Sequence, residues 1–259
     1  MTNTFKKTAI VAAKSAGVIL KKNIGNAHHI EFKGVIDIVT EMDRKAEDLI
    51  IKIIKDNFPK HGILTEESLE QKSDSEYRWI IDPLDGTTNY SHGFPVFCVS
   101  IALEKEGEGI ILGAVYNPML NELFTAEKNK GAYLNNKKIK VSDIKELTKS
   151  LLATGFPYDI RTSPDNNIAH FANFAVRAQA IRRAGSAALD MCYVACGRID
   201  GFWEMKLKPW DTAAAWLIIK EAGGMVTGFN GKEFSLYSSE TLASNGLIHD
   251  EMIKALQGL

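Results

Sequence analysis

No uninterrupted apolar run in this 259-residue sequence approaches the roughly 18 residues that a membrane span needs, so no transmembrane helix is expected. An excess of charge is missing too. Lys and Arg total 31 against 32 Asp and Glu, a net charge of -1, which argues against the basic surface that nucleic-acid backbones select and against direct nucleic-acid binding. A small-molecule partner is the expectation that remains. Cysteine is scarce, with three residues and no C-x-x-C pair. Cys192 and Cys196 stand one helical turn apart, a spacing that more often means small buried side chains than a metal or redox site, and a reduced, cytoplasmic setting fits best. An export signal is not expected either. Lys14 interrupts the apolar part of "TAIVAAKSAGVILKK", whose spacing suits an amphipathic helix ending near Gly25.

Several catalytic signatures are also absent. Without a G-x-S-x-G elbow or a G-x-x-x-x-G-K-[ST] loop, acyl transfer and NTP hydrolysis by those routes have no anchor. H-E-x-x-H is missing, and the six histidines, including the pair His28 and His29, fall in no metal-ligand spacing. No linker rich in Pro, Gly or Ser divides the chain, and no internal repeat is visible.

What the chain does carry is "WIIDPLDGTTNY", residues 79–90. Trp79, Ile80 and Ile81 read as a buried strand, and Pro83, which cannot donate to a ladder, predicts that the strand stops at Asp82. Asp82 and Asp85 then sit at a strand's carboxyl end, where open α/β sheets place their ligand sites and where unpaired negative charge is costly. Elsewhere, "DRKAEDLIIKIIKDNF" has helical spacing, residues 97–140 read as an antiparallel meander, and strand and helix alternate beyond Ser150. The shift predicts an α+β half over residues 1–148 and an α/β half over residues 149–259.

Two carboxylates three apart, with Gly86 permitting a tight turn, suit a hard divalent cation better than a simple Asp-Gly turn. Three further acidic sites have ordinary explanations when taken singly. Glu66 and Glu67 close the strand-like "HGILTEES" and could be solvated, Asp211 could be the N-cap of "DTAAAWLIIKEAGG", and Asp43 forms a capping box with Thr40. Together they would converge at one sheet edge, with helix N-termini offering N–H groups to an anion. That is a site for a phosphate ester hydrolysed with metal assistance. The D-x-D-G-T signature of aspartyl-phosphate phosphatases does not fit, because two carboxylates three apart across a proline do not share one face of a regular strand.

"WIIDPLDGTTNY" and "PWDTAAAWLIIKEAGG" resemble the two signatures of the inositol monophosphatase family of magnesium-dependent, lithium-sensitive phosphatases. "VTEMD", "ILTEES" and "RRAGSAALDMCYVACGRIDGFWE" extend the likeness from about residue 35 to 245, closest to the bacterial members. The resemblance implies a layered αβαβα sandwich of mixed α+β and α/β character, commonly a homodimer, with Mg2+ as cofactor. It implies that Glu67, Asp82 and the carbonyl of Leu84 hold a first metal, and that Asp82, Asp85 and Asp211 hold a second. Thr87 and Asp43 would deprotonate the attacking water, and the N–H groups of Gly86 and Thr87 would hold phosphate oxygens. Gly185, Ser186 and Ala187 would line the sugar pocket, and Glu204 would accept substrate hydroxyls unless it only pairs with Lys206 or Lys208. Thr65 and Ala215 stand where many members have Gly. The expected reaction is hydrolysis of myo-inositol monophosphates or similar sugar phosphates. Alternatives are a fructose-1,6-bisphosphatase or a 3'(2'),5'-bisphosphate nucleotidase of the same fold, with Arg182 and Arg183 available for a second phosphate, or a regulatory protein that docks on a nucleic-acid-bound complex.

Overall fold

The computed structural model describes residues 2–26, 30–32, 34 and 36–258, so His28 and His29 lie outside the described residues. Helix α1 (Thr2–Asn23) buries Phe5, Ala9, Ala12, Ala13, Ala16 and Leu20, the stripe its periodicity predicts. A hairpin of β1 (Ile30–Phe32) and β2 (Ile38–Thr40) leads into α2 (Glu41–Asn57). The expected capping box starts α2: the Thr40 hydroxyl accepts the Met42 N–H, and the Asp43 carboxylate accepts the Thr40 N–H at 2.8 Å.

Next come β3 (Gly62–Thr65), β4 (Tyr77–Asp85), the single-turn α3 (Thr87–Ser91), β5 (Cys98–Lys105), β6 (Gly109–Asn117), β7 (Glu122–Glu127), β8 (Ala132–Leu134) and β9 (Lys137–Lys138). These eight segments supply one seven-stranded sheet in the order β3-β4-β5-β6-β7-β8-β9, parallel only between β3 and β4. The expected meander is its antiparallel part.

The remainder forms β10 (Leu151–Thr154), α4 (Ile168–Ala175), β11 (Ala180–Arg182), α5 (Ala187–Ala195), β12 (Gly201–Met205), α6 (Pro209–Glu221), β13 (Met225–Thr227), β14 (Glu240–Ser244) and α7 (His249–Leu256). Their sheet runs β11-β10-β12-β14-β13. It is mixed, because β14 pairs antiparallel with both β12 and β13 while β10 is parallel to β11 and β12. The alternation of strand and helix beyond Ser150 therefore ends in an antiparallel edge, where β13 and β14 follow each other without an intervening helix.

Three apolar clusters fill the spaces between five layers. One lies between α1–α2 and the first sheet, centred on Trp79, Ile81, Ile101 and Leu103. A second surrounds α5 and α6, with Ile80 and Ala102 below and Ala153, Phe202 and Ala243 above. The third joins the far face of the second sheet, through Leu152, Trp203 and Leu242, to α4 and α7. The order is αβαβα, as expected. Alternation along β4 explains it: Trp79 and Ile81 face one helical layer and Ile80 the other. Between two sheets, α6 needs no polar side, and Ala213, Ala214, Ala215, Leu217, Ile218 and Ile219 are all buried. Its backbone touches the sheet at Gly113, where a Cβ would come within 2.5 Å of the Ala214 carbonyl oxygen. The helix ends at Glu221, with Gly223 just beyond in the left-handed conformation at φ +87°.

Candidate active site

β4 does not stop at Asp82 but continues to Asp85, correcting the expected boundary. A β-bulge absorbs Pro83. Asp82 pairs with Ser100 and Asp85 with Cys98, so three steps along β4 span two along β5, and one residue of β4 drops out of the ladder. The missing N–H of proline costs nothing there. The bulge also changes side-chain parity. Because Ser100 and Cys98 share a face, Asp82 and Asp85 do too, on the side of Ile80 that meets α5 and α6.

That face brings the second half of the chain to the aspartates. Asp85 Oδ2 accepts the Ser186 hydroxyl at 2.5 Å and the Ala188 N–H at 2.8 Å, at the start of α5. Asp211 is not the N-cap of α6, as its position in the sequence suggested. The helix begins two residues earlier, with Pro209 at N1, and Asp211 at N3 reaches back to accept the Lys208 N–H at 2.7 Å. Asp82 Oδ1 accepts the Leu84 N–H at 2.9 Å inside the bulge. Hydrogen bonds thus engage Oδ1 of Asp82 and Oδ2 of Asp85 and of Asp211, leaving one oxygen of each for a cation.

Electrostatics support that vacancy of charge. Burial first, then the charges of Glu66, Asp85 and Asp211, push the Asp82 carboxyl well above the usual carboxylate range. Burial likewise raises Asp85, against the hydrogen bonds from Ser186 and Ala188. Asp211 is pushed up to about 8, by burial first and Asp85 second. Among the described residues no ion pair reaches these three, and no three metal-ligating side chains already close on a common point. Oxygen donors of like charge with no cationic partner fit a hard divalent ion.

This charge gives metal-free protein an inverted pH response. A proton held by folded Asp211 adds stability that is complete below the ordinary value near 3.9 and is lost as the pH rises through about 8. His61 and His249 act oppositely, since burial lowers both. Comparison with Asp211→Asn separates the two effects. In EDTA, the variant should gain on the wild type in melting temperature between pH 5.5 and 8; a constant difference would show that Asp211 does not titrate there.

Asp43 and Thr87 meet as expected. The Thr87 hydroxyl lies 2.8 Å from Asp43 Oδ1 and 3.0 Å from the Leu84 carbonyl oxygen. Asp43 is fully buried, and desolvation raises it against hydrogen bonds from Thr40 and Thr87. Gly86, at φ +100°, makes the turn into α3, and a Cβ there would lie 2.9 Å from the Val96 carbonyl oxygen. Asn89 Nδ2 ties α3 to the 184–185 segment by donating to the Ala184 carbonyl at 2.8 Å.

Glu204 pairs with neither Lys206, which is taken by Asp159, nor Lys208. Its carboxylate packs on the backbone of Gly155, where any Cβ would collide with Oε1. Burial and the charges of Asp190 and Asp85 raise it well above its ordinary value, with Arg183 the opposing cation. Ser186 is 1% exposed and its hydroxyl is committed to Asp85, so it acts on the carboxylate and not as an open pocket wall. Glu67 is half-buried at the end of β3, and its N–H donates to Glu47. The charge felt most at Asp82 is that of the neighbouring Glu66. Three residues near the site were not singled out from sequence: Glu47, Asp190 and Tyr158, the last an exposed side chain beside the charges of Asp37, Glu66, Asp211 and Asp85. Asp190 was hidden in an apolar helical string, and Tyr158 in a polar loop.

A sequence model of the inositol monophosphatase family matches residues 1–259. The chain belongs to the inositol monophosphatase family. It is 45% identical to an inositol-1-monophosphatase of Synechocystis, over 98% of this chain and 88% of that protein. It is also 45% identical to a protein of Vibrio cholerae named Nus factor SuhB, over 92% of this chain and 90% of that one. The solved inositol monophosphatase of Anabaena (Nostoc) superposes with a TM-score of 0.90 at 44% identity, covering 100% of this chain and 97% of that chain. The expected phosphatase activity agrees with this membership.

Proposed function

We propose that this member of the family hydrolyses phosphomonoesters of polyols, with myo-inositol monophosphates the preferred class, and that it requires Mg2+. The observation that carries the reading is the trio Asp82, Asp85 and Asp211, gathered from both halves of the chain with no ion pair to any of them among the described residues and only the more distant charge of Lys208 acting on Asp211. In this reading Asp82, the Leu84 carbonyl and Glu66, whose charge is the one felt most at Asp82, in place of the expected Glu67, would hold one ion, and Asp82, Asp85 and Asp211 a second. Bound there, the ions supply Lewis-acid charge that activates a water and neutralises the leaving oxygen.

The chain's own groups do the rest. The Thr87 hydroxyl donates to Asp43, which turns its lone pairs toward the water; as that water attacks phosphorus and the P–O bond to the polyol breaks, Thr87 Oγ1 takes the water's proton and passes its own to Asp43 Oδ1, and the departing polyol oxygen is protonated by solvent. Asp43, raised by burial, is a better proton acceptor than an exposed aspartate. N–H groups of Gly86 and Thr87 at the start of α3 hold phosphate oxygens. Gly185 and Ala187 border the polyol, and Glu204, close to Arg183, meets its hydroxyls. We place the chain in the cytoplasm as a homodimer, with residues 1–148 and 149–259 as its two site-building halves.

A phosphate-release panel with inositol monophosphates, fructose 1,6-bisphosphate and a nucleoside 3',5'-bisphosphate tests this directly. Inositol monophosphates should turn over fastest, EDTA should abolish turnover, Mg2+ should restore it, and millimolar lithium should inhibit. Undiminished turnover in EDTA would overturn the metal assignment. A second reading, regulatory docking on a nucleic-acid-bound complex, is favoured by the equal identity to the Vibrio protein named as a Nus factor. It stands second because the full carboxylate set is present.

A further inference from the structure

α2 presents two buried carboxylates one turn apart, Asp43 at 0% and Glu47 at 4% exposure. The first serves Thr87. The second lies below the exit of β3, where Glu47 Oε2 accepts the Thr65 hydroxyl at 2.5 Å and the Glu67 N–H at 3.0 Å. Thr65 is itself 3% exposed. Among the described residues no lysine or arginine pairs with Glu47. A carboxylate buried without a cation is expensive to keep, and a neutral side chain of similar size would fill the space at lower cost. What the charge adds is a strong, directional hold on the main chain at Glu67, since hydrogen bonds to an ionised acceptor are about twice as strong as neutral ones.

We propose that Glu47 is a positioning residue. Through the Thr65 hydroxyl and the Glu67 N–H it braces the chain on both sides of Glu66, and so sets how tightly a divalent cation is held beside Asp82. The inference rests on Glu66 being a ligand, as proposed above. It assigns Thr65 a role: its hydroxyl is the second donor that holds Glu47 in place. Helix α2 is then one rigid bar that locates the water-side pair and the cation-side glutamate together.

The test is Mn2+ binding to the metal-free chain without substrate, followed by electron paramagnetic resonance, together with thermal melting in EDTA. Glu47→Gln should weaken Mn2+ binding by about 10- to 100-fold, the usual effect of losing a group that orients a ligand. Thr65→Val should weaken it by a smaller factor, and Thr65→Ser should restore wild-type binding. Activity of Glu47→Gln should recover toward wild type as Mg2+ is raised. If the wild type binds no Mn2+, the functional reading itself fails. If the wild type binds and Glu47→Gln binds equally well, or if both variants lower the melting temperature without changing Mn2+ affinity, Glu47 is only structural. Should Glu47→Gln not fold, the Thr65 pair decides by the same criterion.

Discussion

Asp211→Asn should lose about 10³-fold in phosphatase activity while its metal-free form melts no lower than the wild type. The two halves of this expectation have separate causes. An asparagine at N3 keeps an oxygen that can accept the Lys208 N–H, so the start of α6 stays capped. It also replaces a carboxyl that the folded, metal-free protein keeps only by holding a proton up to about pH 8, against burial and Asp85, with a group that is neutral at every pH, which favours the folded state. Activity depends instead on the charge. An ion that loses one anionic ligand gives up several kcal/mol of its electrostatic contribution, and each 1.36 kcal/mol is a factor of ten in rate. Steady-state kinetics at saturating Mg2+ and a melt in EDTA measure the two. If turnover is retained, Asp211 is a helix cap and nothing more.

Thr87→Val and Asp43→Asn should each cost about 10² to 10⁴ in kcat, and the double variant should be no worse than the poorer single one. The reason is that the two groups form one relay, with the threonine hydroxyl 2.8 Å from the aspartate. Breaking either end stops the same proton transfer. Thr87→Ser keeps the hydroxyl and should keep most of the rate. Asp43→Asn carries an added stability loss of about 0.5–1.5 kcal/mol, because Asp43 accepts from Thr40 on one oxygen and from Thr87 on the other, and an amide has only one oxygen to accept with. Multiplicative losses in the double variant would mean two independent roles in place of a relay.

Layer order was implied only by the resemblance to the family, whereas the elements themselves were legible from local period. Alternation at Trp79, Ile80 and Ile81 marks a strand covered on both faces, and the capping box at Thr40 and Asp43 marks where α2 begins. The site was legible in residue types but not in geometry. Asp82 and Asp85 look mismatched on any regular strand, and only pairing with β5, far along the chain, puts them side by side. Asp211 looked like an N-cap because the true cap position is Lys208, whose backbone and not its side chain matters. Glu47 was invisible because it sits on the same helix as ordinary surface carboxylates, and nothing local records that its side chain meets β3. The antiparallel strand β14 escaped for a similar reason: its partners β12 and β13 are set by the tertiary fold.

The bulge at Pro83 has a consequence for insertions and deletions. Substitutions in residues 82–85 leave the ladder offset in place, whereas losing one residue there would let β4 pair with β5 without a break: Asp85 would stay on the Asp82 face, but the turn that aims the Leu84 N–H at Asp82 and the Leu84 carbonyl at Thr87 would be gone, and losing two would send the Asp85 side chain to the Trp79 and Ile81 side of the sheet. The carboxylate would then lie among apolar residues, away from Ser186 and Asp211. Over this stretch the length of the chain is therefore as constrained as its chemistry, and lineages carrying this site can exchange residues more freely than they can gain or lose them.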